Sequence, residues 1–192
     1  SYPYYRTLVE QYGFTKDVDY IESRTEVPRN VPFLEAMRKR YASNEDYYVL
    51  GCKTKKELLG HVNNMWELLE VAFEPLYGVV PLTAAQTKYY TRKYFGFLDP
   101  EFVKFAYSRD GQMAAFLAAM PSLSQAFVKA RGRLFPTGFI HILKAFRKPE
   151  MVDFLLGAAR PAVKSAAPRA MIWVSMHDSL VKRGVRFIET NH

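Results

Sequence analysis

The chain has 192 residues, 49% of them hydrophobic and 15% aromatic, enough apolar material for one sizeable core. Its net charge of +8 favours anionic partners, whether coenzyme phosphates, nucleic acid or an acidic membrane face, without choosing among them. Cys52 is the only cysteine and the four histidines are widely spaced, which excludes a disulfide framework and any recognisable metal motif; no apolar run approaches membrane-spanning length. These features fit a reducing, cytoplasmic setting.

Residues 1–46 read as a helical appendage and linker. YYRTLVEQYG is a short amphipathic helix ending at Gly13, TEVPRNVP is a proline-punctuated link, and PFLEAMRKRYA is a second helix with a basic end. The opening Ser-Tyr-Pro begins abruptly, so the chain reads as cut from something longer.

From Tyr47 the pattern is that of a compact domain. YYVLGCK is a strand, and Thr54 to Glu57 is a capping box opening a helix with Leu58, Leu59, Val62, Met65, Trp66, Leu69, Ala72, Phe73 and Leu76 on one core-facing stripe. Thr83 to Gln86 is a second capping box, before a helix rich in Tyr89, Tyr90 and Tyr94. FVKFAYSRDGQMAAFLAAM reads as a hairpin turning at Asp110-Gly111. Ala114, Ala115, Ala118 and Ala119 leave room for something to lie closely over its second strand, an alkyl chain included.

Residues 121–148 form a helical insert. Ser122 to Gln125 is a third capping box and Gly132 a stop. The helix in GRLFPTGFIHILKAFRK combines Phe139, Ile140, Ile142, Leu143 and Phe146 with Lys144, Arg147 and Lys148. It is either a core cover with a basic edge or a helix at a membrane interface.

The stretch from Met151 to Thr190 organises the rest. MVDFLLGAA is a buried strand broken by Gly157, a residue that in a strand marks a bulge or a close ligand approach. After Pro161 and Pro168, a helical face appears with Ala170, Trp173, Val174, His177 and Val181; Gly184 ends it, and residues 185–190 alternate as a strand. This is a βαβ unit. The turn before its helix, flanked by Lys164 and Arg169, is a candidate seat for a pyrophosphate, because a helix start favours anions.

This order, with the glycine-broken strand and the helix after it, resembles the GNAT superfamily of acyl-CoA-dependent N-acyltransferases. FLAAMPSLSQAF, GRLFPTGF, YGVVPLT and FIETN resemble a subfamily of large bacterial proteins, some similar to bacterial ceramide synthases. The resemblance covers nearly the whole chain. It implies an α/β fold with a mixed central sheet, flanking helices and the helical insert, occupying 47–192. It also implies C-terminal elements missing after His192 and a sheet edge left unprotected.

The resemblance further implies that acyl-CoA or acetyl-CoA is the acyl donor. Its pantetheine arm would pair with the backbone of Leu155, Leu156, Gly157, Ala158 and Ala159, and its pyrophosphate would rest on Lys164, Ala167 and Arg169. Both glycine positions of the usual phosphate motif are filled here, by Ala167 and Arg169. Glu189 is the leading candidate base, expected to share a buried strand face with Val185 and Phe187, with His192 next. His177 reads as a satisfied histidine on an apolar face. Two functions follow: an N-acyltransferase acting on an amine, extending to a long-chain lipid amine at the inner membrane face, or a GNAT-fold binding or assembly module without catalysis. A nucleic-acid reading finds no recognised motif.

Overall fold

In the computed structural model, which describes residues 2–190, six strands form one mixed sheet. In chain order they are β1 (Ser23–Glu26), β2 (Tyr47–Gly51), β3 (Val103–Ser108), β4 (Met113–Pro121), β5 (Met151–Ala159) and β6 (Phe187–Thr190). Across the sheet the order is β1-β6-β5-β4-β3-β2, and only β5 and β6 run parallel. The helices are α1 (Pro3–Gln11), α2 (Pro32–Tyr41), α3 (Lys55–Gly60), α4 (Val62–Phe73), α5 (Ala84–Tyr94), α6 (Ser124–Ala130), α7 (Gly138–Arg147) and α8 (Ala167–Lys182). None is long and apolar enough to cross a membrane.

Two cores form because the strand side chains alternate between the two faces of the sheet. On one face α4 brings Val62, Met65, Leu68 and Leu69 against Phe105, Phe116 and Ala118. On the other, α8 brings Ile172, Met176 and Leu180 against Phe102, Ala106, Ala115 and Ala119. The alanines of β4 therefore seat the protein's own helices and are fully buried, so no alkyl chain lies over them. Each large side chain buried in this way contributes roughly 1.5–3 kcal/mol.

The βαβ unit forms as β5, α8 and β6. Gly184, at φ +70°, lets the chain reverse, with its N–H donating to Val181 and the Val185 N–H to Leu180. Because Val185 belongs to this helix stop, β6 begins later than expected, at Phe187. The β3–β4 turn uses Gly111 at φ +86°.

Four local expectations differ. Residues 23–26, within the stretch read as a helical appendage, form β1, which pairs antiparallel with β6 and covers its outer edge. The stripe from Leu58 to Leu76 is not one helix, since the chain breaks at His61 after the poor helix former Gly60. At α3 the Thr54 hydroxyl accepts from the Glu57 N–H, but the Glu57 carboxylate reaches Lys53 instead of closing the box. Ser122 does not cap α6: the N-cap position falls on Leu123, and the Ser122 N–H donates to the Met151 carbonyl, extending the sheet. The box at Thr83 and Gln86 forms in full.

Candidate functional site

β6 pairs with the first part of β5. Their register runs from Met151 opposite Phe187 to Phe154 opposite Thr190. Among the described residues no strand continues along that edge of β5 beyond Phe154. Leu156, Gly157, Ala158 and Ala159 pair with β4. β5 carries a bulge against β4: Ala118 lies opposite Leu156 and Ala119 opposite Phe154, which leaves Leu155 as the extra residue. A bulge bends its strand and interrupts pairing. An extended chain bearing amides can add to a strand edge as a further strand.

Gly157 lies in ordinary strand conformation beside Leu117. A Cβ there would stand 3.1 Å from Leu117 Cδ1 and 3.7 Å from the Phe116 carbonyl oxygen. Its small size thus accommodates the neighbouring strand's side chain on the α8 face.

At the start of α8, the Ala167 N–H is taken by Ser165 Oγ at 3.2 Å, and Pro168 has none to give. The Ala170 N–H closes onto the Ala166 carbonyl. Among the described residues the Arg169 N–H has no acceptor, and the side chains of Lys164 and Arg169 beside it are exposed. The charges suit a pyrophosphate, but the turn offers fewer backbone donors than a glycine-rich one.

A cavity of about 780 Å³ adjoins β5 on the α4 face, with Leu156 in its wall. α4 supplies Trp66, Leu69 and Phe73, and the loop before α5 supplies Val80 and Leu82. The walls are held locally: Trp66 Nε1 donates to Thr91 Oγ1 at 2.9 Å, and the Thr83–Gln86 box fixes where α5 starts. Three carboxylates line the same space, Glu67, Glu70 and Glu74, one helical turn apart. Glu67 pairs with Arg160 at 3.0 Å, and Arg160 also donates to the Met113 carbonyl, locking α4 to the end of β5. Among the described residues Glu70 and Glu74 have no ion-pair partner. The apolar stripe of α4 drew attention in the sequence; the acidic row on its other side was legible there too.

Asp153 is the residue that sequence reasoning missed. It stands opposite Glu189 on β6 and opposite Met120 on β4, so all three share the α4 face. Burial raises its carboxyl above the usual range; the Ser122 hydroxyl opposes the rise and the Glu189 carboxylate adds to it. Its Oδ1 is buried without a hydrogen-bond partner.

Glu189 is half-exposed and lies on the other side of β6 from Ile188, which packs toward α8. The buried face expected for it, shared with Val185, does not form, because Val185 stands in the turn after α8. His177 Nε2 donates to the Pro28 carbonyl at 2.7 Å, tying the segment after β1 to α8. His192 lies outside the described residues. Among the described residues no group of three His, Cys, Asp or Glu side chains is placed to hold a metal.

No protein-family profile matches the sequence, and no curated protein does. Solved structures do share the arrangement. A tandem GNAT protein from the clavulanic acid biosynthesis pathway, solved without acetyl-CoA, matches with a TM-score of 0.57 and 13% identity over 100% of this chain and 50% of its own. The GCN5-related glucosamine N-acetyltransferase region of a fungal multi-domain GH3 β-N-acetylglucosaminidase matches at 0.55 and 10%, over 97% of this chain and 19% of that one. The C-terminal domain of a putative lysylphosphatidylglycerol synthetase from Agrobacterium fabrum matches at 0.51 and 9%, over 98% and 51%. The chain thus spans about half or less of the length of these proteins. The chain has the fold of the GNAT superfamily, a mixed sheet flanked by helices, as its motifs implied.

Proposed function

We propose that this domain transfers an acyl group from acyl-CoA to an amine. The observation that carries the reading is the bulge in β5 beside a cavity with acidic and apolar walls. In this reading the pantetheine arm runs along Leu155–Ala159, with Lys164 and Arg169 at the pyrophosphate. The amine enters from the α4 side, drawn as an ammonium by Glu70 and Glu74. A carboxylate of the Asp153–Glu189 pair takes its proton. The freed nitrogen attacks the thioester carbonyl, a backbone N–H of the bulge steadies the oxyanion, and the thiolate leaves with a proton. Trp66, Leu69, Phe73, Val80 and Leu82 suit an acceptor with an apolar body, which supports a long-chain, lipid-like amine met at the cytoplasmic face of a membrane.

A second reading, a GNAT-fold binding module without catalysis, is favoured by one observation: Pro168 and the Ser165 cap remove donors from the phosphate turn. Calorimetry with acyl-CoAs from acetyl to palmitoyl, followed by turnover assays with short and long amines, separates the two. Acyl-CoA binding that weakens about tenfold or more in Lys164→Ala/Arg169→Ala, with turnover reduced in Glu189→Gln and Asp153→Asn, supports transfer. Tight binding with no turnover of any amine supports the module, and no binding by the intact chain refutes both.

A further inference from the structure

We infer that the α6–α7 insert is a docking surface for an anionic phospholipid bilayer. Residues 122–148 contain six Lys and Arg and no Asp or Glu, against a net charge of +8 for the whole chain. The basic residues are spread through the protein, but the excess of positive charge is concentrated here. Among the described residues none of the six, Lys129, Arg131, Arg133, Lys144, Arg147 and Lys148, makes an ion pair, and every one is exposed.

The same insert exposes several large apolar side chains. Phe135 is 78% exposed, Ile140 52%, Leu134 51% and Leu143 50%. α7 packs on α6 so closely that Gly138 has no room for a side chain, because a Cβ would lie 1.8 Å from the Arg133 carbonyl oxygen. That contact uses the start of α7, and its C-terminal end is tied down through the Phe146 and Arg147 carbonyls, which accept from Arg183 at 3.0 and 3.5 Å. The helix is therefore anchored at both ends while Phe139, Ile140 and Leu143 stay exposed and Ile142 and Phe146 are half-buried. It is not the core cover that its composition allowed.

Apolar side chains interleaved with unpaired cations are the two requirements of an interfacial helix: acyl-chain contact and headgroup attraction. A nucleic-acid backbone would engage the cations but leave Phe135, Ile140 and Leu143 in water, which is why the bilayer fits better.

The test is sedimentation of the chain with phosphatidylglycerol–phosphatidylcholine vesicles and with phosphatidylcholine vesicles, at low and high salt. Binding is expected only to the anionic vesicles, weakened by salt. Lys144→Gln/Arg147→Gln/Lys148→Gln should lower the partition coefficient by about two orders of magnitude, since each cation near the surface contributes about fivefold. Phe135→Ser/Ile140→Ser/Leu143→Ser, all at exposed positions, should abolish binding while leaving the circular dichroism spectrum unchanged. A tryptophan introduced by Ile140→Trp should shift its emission to the blue on anionic vesicles. Failure of the intact chain to sediment at low salt overturns the inference. So does binding that the triple serine variant retains in full, or binding that duplex DNA shares, since either reports a polyanion surface. The vesicles carry neither coenzyme nor amine, so this inference can fail while acyl transfer stands.

Discussion

Arg183 joins three parts of the molecule, and its removal has a calculable effect. Nη1 donates to Asp99 at 2.8 Å and to Glu101 at 3.0 Å, and Nη2 donates to the Phe146 carbonyl at 3.0 Å. The guanidinium also lies 5.2 Å from the centre of the Phe102 ring. The three charged side chains are only 21–25% exposed, so water replaces these contacts poorly. Breaking a fully buried pair costs about 3–5 kcal/mol and a charged hydrogen bond about 1.5–3 kcal/mol. With this partial exposure, Arg183→Met should destabilise the fold by about 2–3 kcal/mol, measured by urea denaturation at pH 7. Arg183→Lys keeps the charge but not the planar fork, and should retain most of the loss.

The pH dependence gives a second check. Burial alone would raise the Glu101 carboxyl, but Lys182 and Arg183 hold it below its usual range. A carboxylate depressed in the folded state stabilises fully above its unfolded pKa of about 4.3, and that stability is lost as pH falls through the folded value. The difference between wild type and Arg183→Met should therefore shrink as the pH falls below about 4. A loss under about 0.5 kcal/mol at pH 7, or one of equal size at pH 7 and pH 3, would refute the reasoning.

Asp153→Asn should stabilise the fold at pH 7, because burial and Glu189 raise the carboxyl and its ionisation opposes folding as pH rises through the folded pKa. The gain should vanish below the unfolded value of about 3.9, as urea titrations at the two pH values will show. Gly138→Ala should cost about 1–3 kcal/mol by forcing α7 off the Arg133 carbonyl, measurable in the same assay. An unchanged midpoint would mean that the two helices separate freely.

The elements with their own periodicity were legible in the sequence. α8, its glycine stop, the β3–β4 turn and the Thr83 capping box each depend on neighbours within a few positions. β1 was not, because Ser23-Arg-Thr-Glu26 is exposed throughout and carries no alternation of apolar residues. Its strand conformation comes from backbone pairing with a segment far along the chain. The strand 151–159 was legible as an apolar run, although Gly157 accommodates Leu117 and the register shift leaves Leu155 as the extra residue. Asp153 was hidden inside an apolar run, since its significance arises from Glu189 across the sheet. The cavity was hidden for the same reason: its walls come from α4, a loop and β5 together.

The pairing of β1 with β6 also governs the order of assembly. The Thr190 hydroxyl donates to the Ser23 carbonyl from 167 positions away, and the Val27 N–H donates to the Arg186 carbonyl. Closing a loop of that length costs about 2.5 kcal/mol more entropy than closing one of ten residues. The β3–β4 hairpin needs only a short turn, so it can form early, whereas β1 has no partner until β6 is in place. During synthesis residues 23–26 thus wait outside the sheet until β6 has emerged. In the finished protein the same strand is the natural point of local opening. Its amides should exchange with solvent well ahead of those in β3 and β4.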